Sequence, residues 1–156
     1  MRKSLPPLSI LIFLIVLSIG YAAINHYSTD GYVLANVIKI NDNILTIGTD
    51  CRAIVGDTSP ERALSIQRGI NNEIIGRPMT HDTFMEVLKS FNITIEAVKI
   101  QYHDDQYYYA DMILSDNNKV LTIDLMPSDG IALAVRAGAP IYINQTLLDE
   151  AGEDIC

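Results

Sequence analysis

Residues 120–138 read VLTIDLMPSDGIALAVRAG, a stretch that joins the end of a β-strand to a complete helix. Serine is a favoured N-cap residue, so Ser128 predicts a helix over residues 129–137. This helix is apolar on nearly every side, which indicates that it is deeply buried. Gly138 is expected to end it, because glycine readily takes the left-handed conformation that follows many helices.

Strands are predicted on both sides of this helix. Polar turns separate three strands that precede it, over residues 94–102, 107–115 and 119–125, and this succession predicts an antiparallel meander. A short strand over residues 141–143 follows the helix. Asn144 then predicts the N-cap of a last helix near the C-terminus.

The first half of the domain shows the same mixture of strands and helices. β-Branched and apolar residues predict a hairpin over residues 32–40 and 44–47, and a further short strand over residues 52–55. Ser59 followed by Pro60 predicts the start of a helix that continues to about residue 71, because serine caps helices and proline suits the first helical position.

A second helix is expected after the following loop. Thr80 predicts its N-cap, and its apolar stripe is expected at Phe84, Val87, Leu88 and Phe91. Taken together, these elements predict an α+β fold with an antiparallel or mixed sheet of hairpin and meander strands and about four helices. One N-terminal transmembrane or signal helix is expected to precede it.

The N-terminus carries the signal for that preceding helix. Residues 5–24 contain no charged side chain, and Arg2 and Lys3 come before them. About 20 apolar residues span a bilayer as a helix, and basic residues before such a segment stay in the cytoplasm. The chain then divides into a signal anchor or cleaved signal peptide over residues 1–24, a linker over 25–31 and a domain over 32–156. The domain is expected outside the cytoplasm, attached to the cell membrane by a single span or secreted after cleavage.

Charge limits how the exported domain can bind a polyanion. The chain has 156 residues with 11 Lys and Arg against 19 Asp and Glu, a net charge of −8. Without Arg2 and Lys3, nine basic and 19 acidic residues remain, so residues 25–156 carry −10. This acidity speaks against a passive basic coat for nucleic acid or anionic lipid. A metal ion or an arginine is needed to hold a polyanion at such a surface.

Export also bears on the two cysteines, Cys51 and Cys156. Disulfides form and persist in oxidising compartments outside the cytoplasm. The two thiols therefore either form a disulfide with each other or stay unpaired, and the spacing of the residues does not decide between these outcomes.

Polar side chains cluster at two predicted helix starts. One cluster is formed by Arg77, Thr80, His81 and Asp82, and the other by Asp124, Ser128 and Asp129. Histidine exchanges protons near neutral pH, carboxylates bind Mg²⁺ or Mn²⁺, and guanidinium groups such as those of Arg77 and Arg136 match phosphate geometry. The alternative is ordinary helix capping by the threonine, serine and aspartates, with the histidine bonded to a loop carbonyl.

These clusters resemble the signatures of a known family. Residues 76–82, GRPMTHD, resemble the first signature of the bifunctional nuclease (BFN) domain family, and residues 124–134, DLMPSDGIALA, resemble its second. Residues 139–143 and 148–152 follow in the family's order, so the resemblance covers about residues 53–152. It implies a bifunctional-nuclease-like α+β domain that forms a homodimer, with an active-site groove and nuclease activity on DNA and RNA.

The resemblance and the residue chemistry together give a set of expected site residues. The catalytic residues are expected to be His81, Asp82, Asp124 and Asp129, and the substrate-binding residues Arg77, Thr80, Ser128 and Arg136. Mg²⁺ or Mn²⁺ is expected at Asp124 and Asp129. Met126 stands where the family usually has arginine, and this departure, with the acidity, favours an alternative. That alternative is a non-catalytic exported binding or assembly module that kept the fold.

Overall fold

A computed structural model describes residues 27–116 and 118–156 of the chain. The predicted signal segment, residues 1–24, lies outside the described residues, as do residues 25 and 26, the first two of the predicted linker. Within the two described ranges, none of the helices has the length and apolar character that a membrane span requires.

The described residues form eight strands and four helices. The strands are β1 (Tyr32–Asn41), β2 (Ile44–Gly48), β3 (Arg52–Asp57), β4 (Thr94–His103), β5 (Tyr108–Ser115), β6 (Val120–Leu125), β7 (Ile141–Asn144) and β8 (Glu153–Asp154). The helices are α1 (Pro60–Asn71), α2 (Thr80–Ser90), α3 (Pro127–Ala137) and α4 (Gln145–Ala151). The α+β class and the four helices are therefore confirmed.

All strands belong to one mixed sheet with the order β6-β5-β4-β7-β1-β2-β3-β8. The neighbours β4 and β7 pair in parallel, with Val98 opposite Ile141, and the other neighbouring strands pair antiparallel. A parallel pair needs a crossover connection, and α3 lies in the connection that returns the chain to β4. Strand β7 thereby joins the meander β4-β5-β6 to the N-terminal hairpin.

Helix α3 is the central element of the core, as its composition predicts. Its residues Ile131, Ala132, Leu133 and Ala134 are all buried. A Cβ atom on Gly130 would lie 2.9 Å from Val98 Cγ1, so the absence of a side chain lets α3 approach β4 closely. Helices α1 and α2 pack against α3 on the same side of the sheet.

Two of the four predicted N-caps are wrong. Helix α3 begins at Pro127 with Met126 at the N-cap, because the fixed φ angle of proline suits the first helical position, and Ser128 lies inside the helix. Helix α2 has Met79 at the N-cap and begins at Thr80. There Asp82 accepts a hydrogen bond from the Met79 backbone N–H over 2.7 Å, which stabilises this earlier start. The caps Ser59 and Asn144 are confirmed.

The predicted core face of α2 is also largely wrong. Leu88 is buried as predicted, but the second buried apolar residue is Met85. Phe84, Val87 and Phe91 are 36%, 46% and 71% exposed and form an apolar strip along one face of the helix. Apolar residues occur at helical spacing on both faces of α2, so the spacing does not decide which face is buried. The rotation of α2 about its axis is set instead by a polar contact of Asp82, described below.

Cys51 and Cys156 form a disulfide, which decides between the two outcomes that the sequence left open. It closes a separation of 105 residues and ties the C-terminus to the turn between β2 and β3. Strand β8 runs beside β3 next to this link, with Ala53 opposite Glu153.

Removing the disulfide should destabilise the domain measurably. A closed loop of this length restricts the unfolded chain strongly, so the Cys51→Ala/Cys156→Ala variant should lose about 2–4 kcal/mol of unfolding free energy. Urea denaturation with and without dithiothreitol checks this. The reductant should lower the midpoint of the natural sequence and leave that of the double variant unchanged, and equal midpoints for all four samples would contradict the expectation.

Candidate active site

A cavity of about 690 Å³ opens between helices α1, α2 and α3 and the sheet. Its apolar floor comes from strands β5 and β6 through Met112, Ile123 and Leu125. Its polar groups come mainly from the helices, which supply Glu61, Arg62 and Ser65 from α1, Thr80 and His81 from α2, and Asp129 from α3. A concave surface with an apolar floor and a few convergent polar groups is the usual form of a small-molecule or active site.

Of the four charged or titratable residues that line this cavity, three contact one another, namely Arg62, His81 and Asp129. Arg62 Nε donates a hydrogen bond to Asp129 Oδ1 over 2.9 Å, and His81 Nε2 lies 3.3 Å from the same oxygen. The Arg62 and Asp129 side chains are 38% and 30% exposed, whereas that of His81 is 15% exposed. Both contacts use Oδ1, so the carboxylate can offer Oδ2 to a ligand or a water in the cavity.

The contacts of His81 define how its imidazole is protonated. Asp129 Oδ1 can only accept, so His81 Nε2 carries the hydrogen. In a neutral ring Nδ1 is then the acceptor, and Ser65 Oγ, 2.9 Å away, donates to it. The free lone pair of the ring therefore points to Ser65 and away from the cavity. This geometry favours His81 as the group that orients Asp129, and Asp129 as the group that meets solvent.

Burial keeps His81 neutral. Burial lowers the pKa of His81, and the nearby positive charge of Arg136 acts in the same direction. The carboxylates of Asp129 and Asp82 raise this pKa but do not cancel the effect of burial, so it lies below the usual range. The ring is therefore uncharged at neutral pH and keeps one donor and one acceptor nitrogen.

The chain of contacts from Ser65 through His81 to Asp129 has the order of a serine-hydrolase triad. A nucleophilic serine must reach its substrate, yet Ser65 is 0% exposed. Its hydroxyl is held inside the domain by α1 and the imidazole. Ser65 therefore acts as a positioning residue for His81, and the arrangement does not support acyl transfer through this serine.

Asp82 and Arg136 do not meet the cavity as expected, because they bind each other. Arg136 Nε donates to Asp82 Oδ1 over 2.7 Å, and the two side chains are 8% and 10% exposed for arginine and aspartate. Arg136 Nη1 also donates to the carbonyl oxygens of Ser65 and Ala132. Burial raises the pKa of Asp82, but hydrogen bonds from Arg136 and Met79 outweigh this, so it stays below the usual range. Nη2 of Arg136 has no partner among the described residues, but it is buried, and Arg136 is not among the residues that line this cavity.

Asp124 lies on the other side of the sheet from Asp129. Successive strand residues point to opposite faces, and Ile123 and Leu125 line the cavity. Asp124 is exposed on the opposite face, paired in register with Asp111 of β5. Asp124 and Asp129 therefore do not form the expected Mg²⁺ or Mn²⁺ pair. Within residues 27–116 and 118–156, no three His, Cys, Asp or Glu side chains are grouped to hold a metal.

The remaining expected residues are divided between places. Thr80 lines the cavity, whereas Arg77 is exposed in the loop before α2 and is not among the lining residues. Ser128 is buried and faces a neighbouring cavity. Sequence reasoning missed Arg62 and Ser65 as site residues. Arg62 and Ser65 are three residues apart on α1, which places both on one helix face, and this spacing is the sequence signal that could have identified them. Apolar residues at similar spacing on the same helix made that signal hard to recognise.

Fold and site together define an α+β domain in which two motif segments bring His81 and Asp129 to one cavity. The profile of the family described as "Bifunctional nuclease domain" matches residues 55–155. The chain belongs to this family.

Curated relatives are similar over part of the chain. An uncharacterized protein of Mycobacterium tuberculosis (strain ATCC 25618 / H37Rv) is 36% identical over 76 residues, which cover 49% of this chain and 44% of that protein. Bifunctional nuclease 2 of Oryza sativa subsp. japonica is 29% identical over 85 residues, which cover 53% of this chain and 26% of that protein. Bifunctional nuclease 2 of Arabidopsis thaliana is 27% identical with the same coverage. The matches span less than half the length of these relatives.

Breaking the buried ion pair should destabilise the domain strongly. The Arg136→Met variant leaves the Asp82 carboxylate buried without its partner, which should cost about 3–5 kcal/mol of unfolding free energy. The Asp82→Asn/Arg136→Met double variant should recover part of this loss, because no uncompensated charge remains. Urea denaturation measures both, and Arg77→Ala, at an exposed position, is the control expected within about 0.5 kcal/mol of the natural sequence. A loss for Arg136→Met as small as the control's would contradict the expectation.

Proposed function

We propose that the domain hydrolyses phosphodiester bonds of DNA or RNA in the cavity between α1, α2 and α3. The observation that carries this proposal is the convergence of a guanidinium, a carboxylate and an imidazole, with Arg62 and His81 at 2.9 and 3.3 Å from one oxygen of Asp129. Phosphodiester hydrolysis needs a cation for the phosphate and a base for the attacking water. Family membership supports the same class of reaction at a coarse level.

Each of these groups has a distinct part in the proposed reaction. Arg62 holds a non-bridging phosphate oxygen with the guanidinium nitrogens that Asp129 does not use. Asp129 Oδ2 accepts a proton from a water as the water oxygen bonds to phosphorus. The bond to the leaving oxygen then breaks, and that oxygen takes a proton from solvent. The N–H of His81 holds Asp129 in place during these steps.

The proposal changes the roles expected from sequence. Asp129 replaces His81 as the group that meets the attacking water, because the histidine lone pair points to Ser65. Arg62 replaces Arg77 and Arg136 as the phosphate ligand. Mg²⁺ or Mn²⁺ enters this proposal as an ion carried with the nucleic acid, because Asp124 and Asp129 lie on opposite faces of the sheet.

We further propose that the domain is exported, anchored to the cell membrane through residues 5–24, and dimeric. The disulfide between Cys51 and Cys156 supports export, because disulfides persist mainly in oxidising compartments. The exposed strip of Phe84, Val87 and Phe91 on α2 supports homodimerisation, because contiguous apolar patches on a surface often mark an interface.

A nuclease assay with matched variants tests the catalytic proposal. Asp129→Asn should lower the turnover of single-stranded DNA or RNA by about 100- to 10,000-fold, the usual contribution of a general base. Arg62→Gln should mainly raise KM, because it removes a phosphate ligand. Asp124→Asn is the matched control, since it neutralises an equivalent aspartate on the opposite face of the sheet and should leave turnover unchanged.

The same assay separates the enzyme from the alternative, a non-catalytic exported binding or assembly module. Reactions with Mg²⁺, with Mn²⁺ and with EDTA show whether a divalent ion contributes. A folded natural sequence that cleaves neither DNA nor RNA under all three conditions would support the module. Equal activity of the natural sequence and Asp129→Asn would also refute the proposed mechanism.

Export is tested by the state of the cysteines in cells. In cells that express the full chain, Cys51 and Cys156 should resist alkylation until a reductant is added, and external protease should digest the domain once any outer barrier is opened. A variant that lacks residues 1–24 should keep both thiols reactive in the cytoplasm. Reactive thiols and protection from protease in the full chain would exclude the proposed location.

A further inference from the structure

A second cavity, of about 360 Å³, adjoins the active-site cavity. Its inner surface is formed by buried core residues that include Ile47, Ile54 and Ile131. Its outer part is polar and aromatic, with His103, Gln106, Tyr107 and Tyr108 contributed by the end of β4, the following turn and the start of β5. We call it the adjoining cavity.

The two cavities share a thin wall. Thr58 lines the adjoining cavity, and the next residue, Ser59, lines the active-site cavity. On α3, Ser128 lines the adjoining cavity and Asp129 the active-site cavity. Consecutive Cα atoms are about 3.8 Å apart, so the two cavities come close to each other at both of these places.

Two residues that line the adjoining cavity carry hydroxyl groups. Thr58 Oγ1 is buried and has no hydrogen-bond partner among the described residues. Ser128, 6% exposed, lines the same cavity from α3. A buried hydroxyl without a hydrogen-bond partner is unfavourable. A ligand atom that bonds to it therefore contributes more binding free energy than the same hydrogen bond would contribute in water.

Charge limits what the adjoining cavity can hold. Its lining includes the carboxylate of Asp57 and contains neither lysine nor arginine. A phosphate or carboxylate group would therefore meet a negative charge without a compensating cation. Arg62, the cation proposed to hold phosphate, lines the active-site cavity. The adjoining cavity thus suits a neutral ligand group, and the proposed cation for phosphate lies in the active-site cavity.

The outer wall offers flat aromatic surfaces. The rings of His103 and Tyr108 lie with their centroids 4.3 Å apart, and Tyr107 is 54% exposed at the opening. The turn that carries Tyr107 is held by Asp104 Oδ1, which accepts hydrogen bonds from the backbone N–H groups of Gln106 and Tyr107. Aromatic side chains at such a position can stack with planar heterocycles of any identity.

We infer that the adjoining cavity binds a nucleobase, namely the base of a nucleotide next to the phosphodiester held by Arg62. The aromatic wall stacks with the base, the core residues contact its faces, and Thr58, Gln106 and Asp57 meet its polar edge. The inference rests on the proposed nuclease function, and it adds that recognition of the substrate comes from an unpaired base as well as from phosphate.

Binding of nucleosides tests the inference without requiring hydrolysis. Adenosine and uridine, which lack phosphate, are titrated into the full chain by NMR or calorimetry. Tyr107→Ala should weaken their binding by about 5- to 100-fold, the range expected for loss of one stacking contact, and the nearly isosteric Thr58→Val should weaken it by several-fold. Tyr102→Ala is the matched control, because Tyr102 has the same exposed fraction of 54% and lies outside the cavity.

The outcomes separate this inference from the proposed function. Weaker nucleoside binding in Tyr107→Ala and Thr58→Val, with Tyr102→Ala unchanged, supports the base site even if no nucleic acid is cleaved. Absent nucleoside binding, or equal affinities in all variants, overturns it. Cleavage of a dinucleotide with the same KM in Tyr107→Ala and the natural sequence also overturns it while leaving the nuclease function intact. Ribose 5-phosphate that perturbs Tyr107 more than the nucleosides do would show an anion site in its place.

Discussion

The buried contact between Arg136 and Asp82 is the constraint on which the arrangement of the helices depends. Arg136 reaches from α3 to the Asp82 carboxylate of α2 and to the Ser65 carbonyl of α1, so one guanidinium joins three helices. Asp82 in turn accepts the Met79 N–H at the start of α2. Because both charges are nearly excluded from solvent, a rotation of α2 would leave each without its partner, which is far more costly than exposing apolar side chains. The exposure of Phe84, Val87 and Phe91 follows from this constraint.

The same contact positions the proposed active site. His81 precedes Asp82, so fixing Asp82 towards α3 turns the histidine into the space between α1 and α3, where Ser65 and Asp129 meet its two nitrogens. Arg136 also lowers the pKa of His81 in addition to the effect of burial, which keeps the ring neutral and leaves it one donor for Asp129. Arg136, which was expected to bind substrate, therefore acts indirectly. It fixes Asp82, and in this way it positions the neighbouring His81 and keeps it neutral.

The sequence predicted what depends on local interactions. Helix α3 could be predicted because a short segment holds both its apolar composition and its stop at Gly138, and the β1–β2 hairpin could be predicted from its turn. The rotation of α2, the insertion of β7 between β4 and β1, and the burial of Arg136 depend on contacts between distant segments. The motif residues were found, but motif membership could not show that Asp124 faces away from Asp129, nor that Arg62 would complete the site.

The acidity of the domain finally determines what kind of nucleic-acid binding the proposed site can support. A protein that relies on phosphate contacts needs many cations, because each neutralised phosphate contributes through release of counterions. Here Arg62 is the one arginine or lysine that lines the active-site cavity in the described part of the chain, within a domain that carries −10 over residues 25–156. Affinity in the proposed mode must then come largely from short-range contacts, namely stacking and hydrogen bonds to a base. Those contacts require a base that is free of its pairing partner, so the physical limits imposed by charge favour single-stranded over double-stranded substrate.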